Sequence, residues 1–351
     1  MNDILLGKYT IGKSHPPFII AEMSGNHNQS LERALEIVDA AAASGAHALK
    51  LQTYTADTIT MEGVYSIDDP KSLWSGRQLH ELYSKAYTPW EWHKPIFERA
   101  AKHGMIAFSS PFDETAVDFL ESLNVPLYKI ASFENTHHPL LKKVAKTGKP
   151  VIMSTGVSTE ADIRESVDVL RSAGCKDLIL LKCTSTYPAT PENTNLRTIP
   201  YFESEYKCHV GLSDHTMGIG VAIASVALGA CVIEKHFTLR RADGGVDSTF
   251  SMEPDEMKAL VIESEKAFLG MGIVQHDILK DEIPSRKFKR SIYISADLKA
   301  GDVISEANVR VIRPGLGLEP KYFEQILGRK LKSDVKKGTP LTWDLLTEET
   351  K

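Results

Sequence analysis

The chain has 351 residues, 42% hydrophobic and 25% charged, with a formal net charge of −5. That composition belongs to an ordinary globular protein of roughly two domains, and it excludes a long-range pull toward nucleic acid or an anionic membrane. The opening MNDILLGKYTIGKSHPP lacks a charged n-region followed by a long apolar run, and no window approaches the ~20 apolar residues of a membrane span, so a cytoplasmic protein is expected. Four cysteines (Cys175, Cys183, Cys208, Cys231) lack CxxC spacing. Cys183 and Cys231 sit in apolar runs, so reduced, buried thiols are expected.

From residue 18 to about residue 268 a short apolar run followed by an amphipathic stretch recurs. The runs are FIIAE (18–22), HALKLQ (47–52), MIAFSS (105–110), LYKIAS (127–132), PVIMST (150–155), DLILLKC (177–183), HVGLSD (209–214) and CVIEKH (231–236). Each is too short for a core helix and rich in Ile, Val and Leu, which predicts parallel strands buried on both faces. The segments between them have helical period. Leu31, Ala34, Leu35, Val38 and Ala42 form one stripe. Ile163, Val167 and Leu170 form another, behind Thr159 and Asp162 at capping-box spacing. About eight β–α units in roughly 250 residues predict a TIM (β/α)8 barrel. A doubly wound open sheet is the alternative, but MSGNHNQS follows the first run where that fold carries a GxGxxG turn.

Two connections are long, 53–89 and 184–207. Both follow strands, so in a barrel both lie on the catalytic face, and loops of that length are usually functional or disordered. Near residue 270 the pattern changes. Residues 1–270 are expected to form the catalytic barrel, 271–290 a linker ending in SRKFKR, and 291–351 a small turn-rich domain with β-like SIYIS and VRVIR. A domain that small is marginal alone and is expected to pack on a barrel.

Active-site residues of a TIM barrel sit at the C-terminal ends of its strands. Here every apolar run ends in polar residues: Glu22, Lys50 and Gln52, Ser109 and Ser110, Lys129 and Ser132, Ser154, Lys182 and Thr184, Ser213 and His215, and Glu234 and His236. One such end marks only the start of a loop; repetition around the ring predicts a polar pocket. Lys50 and Lys129 interrupt apolar strands, which is costly without an anion. With Ser110, Ser132, Ser154 and Ser213 they suit a phosphate and a carboxylate together. The plainer reading is a snorkelling lysine, and a Schiff-base lysine competes. His215 and His236 end adjacent predicted strands. They suit a catalytic divalent cation (Mn²⁺, Mg²⁺ or Co²⁺) better than structural zinc, because no thiolate accompanies them. Glu22 faces both lysines and cation, as an acid/base or as a salt-bridge partner of a lysine.

IIAEMSGNHNQS, LKLQTY, YKIAS, STG, GLSDHT and IEKHFTL, in this order and at these intervals, resemble the sialic acid synthase family. The C-terminal AGD…IRPGLGLEP…GR pattern resembles that family's antifreeze-like (SAF) domain. The resemblance covers nearly the whole chain. SGNHNQSLERAL, ASFENTHHPLL and RADGGVDSTFSMEP are most similar to its pseudaminic acid synthase branch, and depart from the N-acetylneuraminate branch at the first motif and after EKH.

The resemblance implies phosphoenolpyruvate held by Lys50, Lys129, Ser110, Ser132, Ser154, Thr184 and Ser213. It implies a divalent metal on His215 and His236 that polarises the aldehyde of an open-chain sugar. C3 of phosphoenolpyruvate attacks that carbonyl carbon, water handled by Glu22 adds, and phosphate leaves with C–O cleavage. Gln52, Tyr187 and Asp247 match sugar-contacting positions. Arg313 matches a residue delivered from the partner's SAF domain, which implies a domain-swapped homodimer. The implied acceptor is 2,4-diacetamido-2,4,6-trideoxy-L-altrose; N-acetylmannosamine and the legionaminic acceptor are the alternatives. Outside the family, the rivals are a Schiff-base aldolase using Lys50, Lys129 or Lys182, a metal-dependent hydrolase, and a non-catalytic carbohydrate-binding protein.

Overall fold

The computed structural model describes residues 1–70 and 74–348. The chain divides into two compact units, Met1–Gly272 and Ile273–Lys351. The first opens with an antiparallel hairpin, β1 (Ile4–Leu6) and β2 (Tyr9–Ile11). Eight parallel strands follow: β3 (Phe18–Glu22), β4 (Ala48–Thr53), β5 (Ile106–Pro111), β6 (Tyr128–Ile130), β7 (Val151–Ser154), β8 (Leu178–Cys183), β9 (His209–Asp214) and β10 (Val232–His236). They pair in chain order, and β10 closes on β3 to complete a barrel. These are the eight apolar runs of the sequence, and the fold is the TIM (β/α)8 barrel.

Side chains alternate across a strand, so one set faces the barrel axis and the other the helices. The helix-facing set includes Ile19, Leu49, Leu51, Tyr128, Met153, Leu180, Leu212 and Ile233, packed in one large core. The axial set forms a second core: Phe18, Ile20, Ala48, Phe108, Leu127, Ile152, Ile179, Leu181 and Val232. Ile4, Leu6 and Ile11 of the hairpin join it, so β1–β2 plugs the N-terminal end of the barrel. Each of these large side chains stabilises the fold by about 1.5–3 kcal/mol on burial. At Gly211 the axis has no room left. A Cβ there would lie 2.2 Å from the Val232 carbonyl oxygen and 2.7 Å from Leu181.

Two residues further along each strand the axial position turns polar. Ile20 gives way to Glu22, Ala48 to Lys50, Phe108 to Ser110 and Leu127 to Lys129. Ile152 gives way to Ser154, Leu181 to Cys183, Gly211 to Ser213 and Val232 to Glu234. The same pleat that builds the apolar floor therefore builds a polar ring above it, at the C-terminal face.

The helix Glu160–Ser172 starts on the expected reciprocal cap. The Thr159 side chain accepts from the Asp162 amide, and the Asp162 carboxylate accepts from the Thr159 amide. The buried face of Leu31–Ala43 is Ala34, Ile37, Val38 and Ala41. In the described part of the long connection after β4, short helices Ala56–Ile59 and Leu79–Ala86 flank an antiparallel bridge between Ser66 and Gln78. The second unit pairs β11 (Ser291–Ile294) with β12 (Val309–Ile312) around Ile292, Ile304, Val309, Ile326 and Leu341. Among the described residues no helix is long and apolar enough to cross a membrane.

Candidate active site

A cavity of about 530 Å³ opens over the polar ring, lined by Glu22, Lys50, Lys129, Ser154, Cys183, Ser213, Glu234, His215 and His236, among others. Strand register sets the neighbours. Glu22 stands beside Lys50 on β4 and His236 on β10, and Ser213 stands beside Glu234. Lys50 Nζ lies 2.8 Å from Glu22 Oε2 and 3.7 Å from Glu234 Oε1. Lys129 Nζ donates to Ser154 Oγ at 2.7 Å and lies 3.4 Å from Glu234 Oε1. Ser213 donates to the same Glu234 oxygen at 3.3 Å. Glu22 Oε1 accepts from Gln52 at 2.9 Å, and Ser24 donates to Asp247.

Two lysines and two carboxylates thus share one buried network, with lysine side chains at most 4% exposed. Isolated, each charge would be costly; paired, the network is tolerable. Burial alone would lower Lys50, but Glu22 and Glu234 outweigh it and hold the ammonium above its usual range. Burial lowers Lys129, which has the weaker carboxylate support. For Glu234, burial pushes up, but Lys129 and Lys50 outweigh it and hold the group ionised. For Glu22, burial wins over Lys50 and the carboxyl is raised. Glu234 Oε2 is buried with no hydrogen-bond partner, so this network keeps an unfilled acceptor.

The imidazoles of His215 and His236 lie with ring centroids 5.3 Å apart. His215 Nδ1 pairs with the Thr184 carbonyl at 2.9 Å, which leaves Nε2 to ligate. Burial, then His215 and both lysines, hold His236 well below its usual range, so it is neutral. Its Nδ1 is buried without a hydrogen-bond partner. A neutral imidazole whose Nδ1 makes no hydrogen bond and lies 3.6 Å from Asp247 Oδ2, beside a second imidazole, fits a divalent cation. Among the described residues no three His, Cys, Asp or Glu side chains gather to hold an ion by themselves, so protein ligands would leave positions open. Behind the imidazoles, Lys235 Nζ pairs with Asp214 at 2.8 Å and donates to the Thr216 and Gly218 carbonyls at 2.7 and 3.0 Å. That buried staple ties the end of β10 to the turn after His215 and so fixes the spacing of the two rings.

Most residues singled out in the sequence meet in this cavity. Gln52, Ser132, Tyr187 and Asp247 line it, and Tyr187 packs 4.5 Å from His215 by ring centroids. Ser110 does not line it but accepts from Lys50 at 3.3 Å. Thr184 does not line it; its hydroxyl donates to the Asn193 carbonyl in the following loop. Ser109 and Lys182 fall on the outward pleat. Ser109 bonds Thr53, and Lys182 donates to the Cys183 carbonyl, so Lys182 does not line the cavity as a Schiff-base candidate would. Arg313 lies in the second unit, exposed just past β12.

Ser24, Glu134 and Cys183 were not singled out as site residues, yet they line the cavity. Cys183 was legible from the period of two along β8. Ser24, at φ 48°, and Glu134 lie beyond strand ends, where no periodicity guides the reading. The backbone approaches closely at Gly156, whose amide donates to Ser132 Oγ at 3.1 Å and where a Cβ would lie 2.1 Å from Ser185 Oγ.

Burial pushes Glu134 up to about 7, against the pull of Lys129, and its Oε2 has no partner. The folded state therefore holds an extra proton between pH 4.5 and about 7. Stability falls as pH rises through that window. Glu134→Gln is expected to remove that fall. Denaturant unfolding at pH 4.5 and 7.5 should show wild type losing roughly 2–3 kcal/mol more than the variant. Parallel curves for the two proteins would place the titration elsewhere.

Fold and mouth together define a (β/α)8-barrel enzyme with a buried, charged catalytic face. The NeuB family profile matches residues 37–276, and the SAF domain profile matches 289–347. The chain is 43% identical to a pseudaminic acid synthase of Campylobacter jejuni, over 92% of this chain and 95% of that one. It is 41% identical to a pseudaminic acid synthase of Helicobacter pylori, over 94% and 97%. A crystal structure of N-acetylneuraminic acid synthetase from Leptospira borgpetersenii superposes with a TM-score of 0.73 at 32% identity, covering 81% of this chain and 95% of that one. The chain belongs to the NeuB family.

Proposed function

We propose that this enzyme condenses phosphoenolpyruvate with 2,4-diacetamido-2,4,6-trideoxy-L-altrose and water, giving pseudaminic acid and phosphate by C–O cleavage. The observation that carries the reading is the convergence of Lys50 and Lys129 with His215 and His236 on one cavity. The similarity to pseudaminic acid synthases over nearly the whole chain supports the acceptor.

Lys50 and Lys129 bind the phosphate and carboxylate of phosphoenolpyruvate, with Ser132, Ser154 and Ser213 as hydroxyl donors. Their ammonium groups are desolvated already, so they offset substrate charge without reorganising. Gln52, Tyr187 and Asp247 orient the sugar. C3 of phosphoenolpyruvate forms a bond to the aldehyde carbon, whose oxygen takes the C=O electron pair as an alkoxide, leaving an oxocarbenium carbon at C2. Glu22 takes a proton from the water that adds at C2 and returns it to the alkoxide; the C2–O bond to phosphate then breaks, and the new C2 hydroxyl passes its proton to the departing phosphate as the ketone forms. The raised proton affinity of Glu22 suits that task. His215 and His236 would hold a divalent cation (Mn²⁺, Mg²⁺ or Co²⁺), which supplies Lewis-acid polarisation of the aldehyde. In this reading the enzyme is cytoplasmic and works as a homodimer with swapped SAF domains, so that Arg313 of the partner subunit reaches the sugar.

The test is phosphate release with phosphoenolpyruvate, Mn²⁺ and each acceptor in turn. The diacetamido-trideoxy sugar should be preferred. Preference for N-acetylmannosamine would overturn the acceptor assignment, and release without phosphoenolpyruvate dependence would overturn the reaction.

A further inference from the structure

The cavity has two unlike sides. The barrel side is the charged ring already described. The other side comes from the connection after β4 and is mainly apolar: an aliphatic patch of Ile59, Ile67, Leu79 and Leu82 lines it beside Tyr54, Trp74 and Tyr83. This side is built rather than draped. Ile67 donates its amide to the Arg77 carbonyl at 3.0 Å and accepts from the Gly76 amide at 2.8 Å. Trp74 donates to the Val246 carbonyl at 3.2 Å, which ties the connection to the loop after β10. Tyr54 packs edge-on against both Tyr83 and Phe112, and these three rings line the cavity as well. Leu82 is 5% exposed, and Ile59, Ile67 and Leu79 are half-buried.

We propose that this aliphatic wall determines acceptor specificity by receiving the C6 methyl of the sugar. The proposal rests on the reaction assigned above. The proposed acceptor is a 6-deoxy sugar with a methyl at C6, whereas N-acetylmannosamine has a hydroxyl there. A hydroxyl pressed against Ile and Leu side chains gives up its water and gains no partner. A methyl gains contact at no such cost. The wall residues lie in the connection after β4, whereas Glu22, Lys50 and Lys129 lie on strands. Specificity is thus set by a loop while the chemistry stays on the strands.

The experiment compares the diacetamido-trideoxy acceptor with its 6-hydroxy counterpart, as a ratio of kcat/KM. Wild type should favour the deoxy sugar by about 10–100-fold. Ile59→Thr, Ile67→Thr and Leu79→Asn place a polar group on the wall at half-buried positions. At least one should cut the ratio about fivefold or more, with KM for phosphoenolpyruvate unchanged. Ile67→Val, which keeps the wall apolar, should keep the wild-type ratio. A wild type that condenses both sugars equally well, or three polar variants that all retain its ratio, would overturn the wall while leaving the reaction intact. A wild type that releases phosphate with neither sugar would overturn the reaction and the wall together.

Discussion

Lys129→Ala should lower kcat/KM for phosphoenolpyruvate by about 10²–10³-fold, chiefly through KM. The size follows from what alanine leaves behind. Lys129 Nζ lies 3.4 Å from Glu234 and 2.7 Å from Ser154. Without it, Glu234 keeps one ammonium, Lys50 at the longer distance of 3.7 Å, and the Ser213 hydroxyl at 3.3 Å. The buried carboxylate then faces an incoming polyanion with one cation instead of two. Losing a charge-assisted contact and unmasking that repulsion together cost about 3–4 kcal/mol of binding. Initial rates of phosphate release against phosphoenolpyruvate concentration read the effect directly. An unchanged KM would remove Lys129 from the phosphate site.

The second large effect belongs to His236. His236→Ala should lower kcat by about 10³-fold or more and abolish stimulation by Mn²⁺, because Lewis-acid assistance is worth several kcal/mol. The side chain is neutral by burial, and its Nδ1 makes no hydrogen bond, lying 3.6 Å from Asp247 Oδ2. Its ring makes aromatic contacts with Phe250 at 4.9 Å and His215 at 5.3 Å, so alanine removes the proposed cation ligand and some packing but no structural hydrogen bond. A Schiff-base aldolase on this barrel would instead be indifferent to the substitution and to chelation. Full activity in the variant after EDTA would favour that rival.

The barrel was legible because its strands are buried on both faces and so read as unbroken apolar runs. The floor and the ring above it follow from one pleat, which is why Lys50, Lys129 and Glu22 could be placed from sequence. Parity also separates what strand-end polarity alone confuses. Lys129 and Lys182 look alike in the sequence, yet Lys129 is in phase with Leu127 and faces the axis, while Lys182 is in phase with Leu180 and faces out. Thr184 keeps the same phase as Lys182 and likewise stays out of the cavity. It lies just beyond β8, and its side chain follows the local hydrogen bonding of the loop. Glu134 and the aliphatic wall lie wholly in such connections. Their positions depend on contacts between segments far apart in the chain, such as Trp74 with Val246, which no local pattern encodes.

Everything proposed for the chemistry requires substrate phosphate and cation to occupy the same small space. The paramagnetic effect of Mn²⁺ on the ³¹P resonance of enzyme-bound phosphoenolpyruvate measures that separation. The enzyme should relax the phosphorus strongly, at a distance on the order of 10 Å or less, the span of a cavity of about 530 Å³, and His236→Ala should abolish the effect. A phosphorus that relaxes as it does free in solution with Mn²⁺, or that relaxes equally fast in wild type and variant, would contradict a shared site.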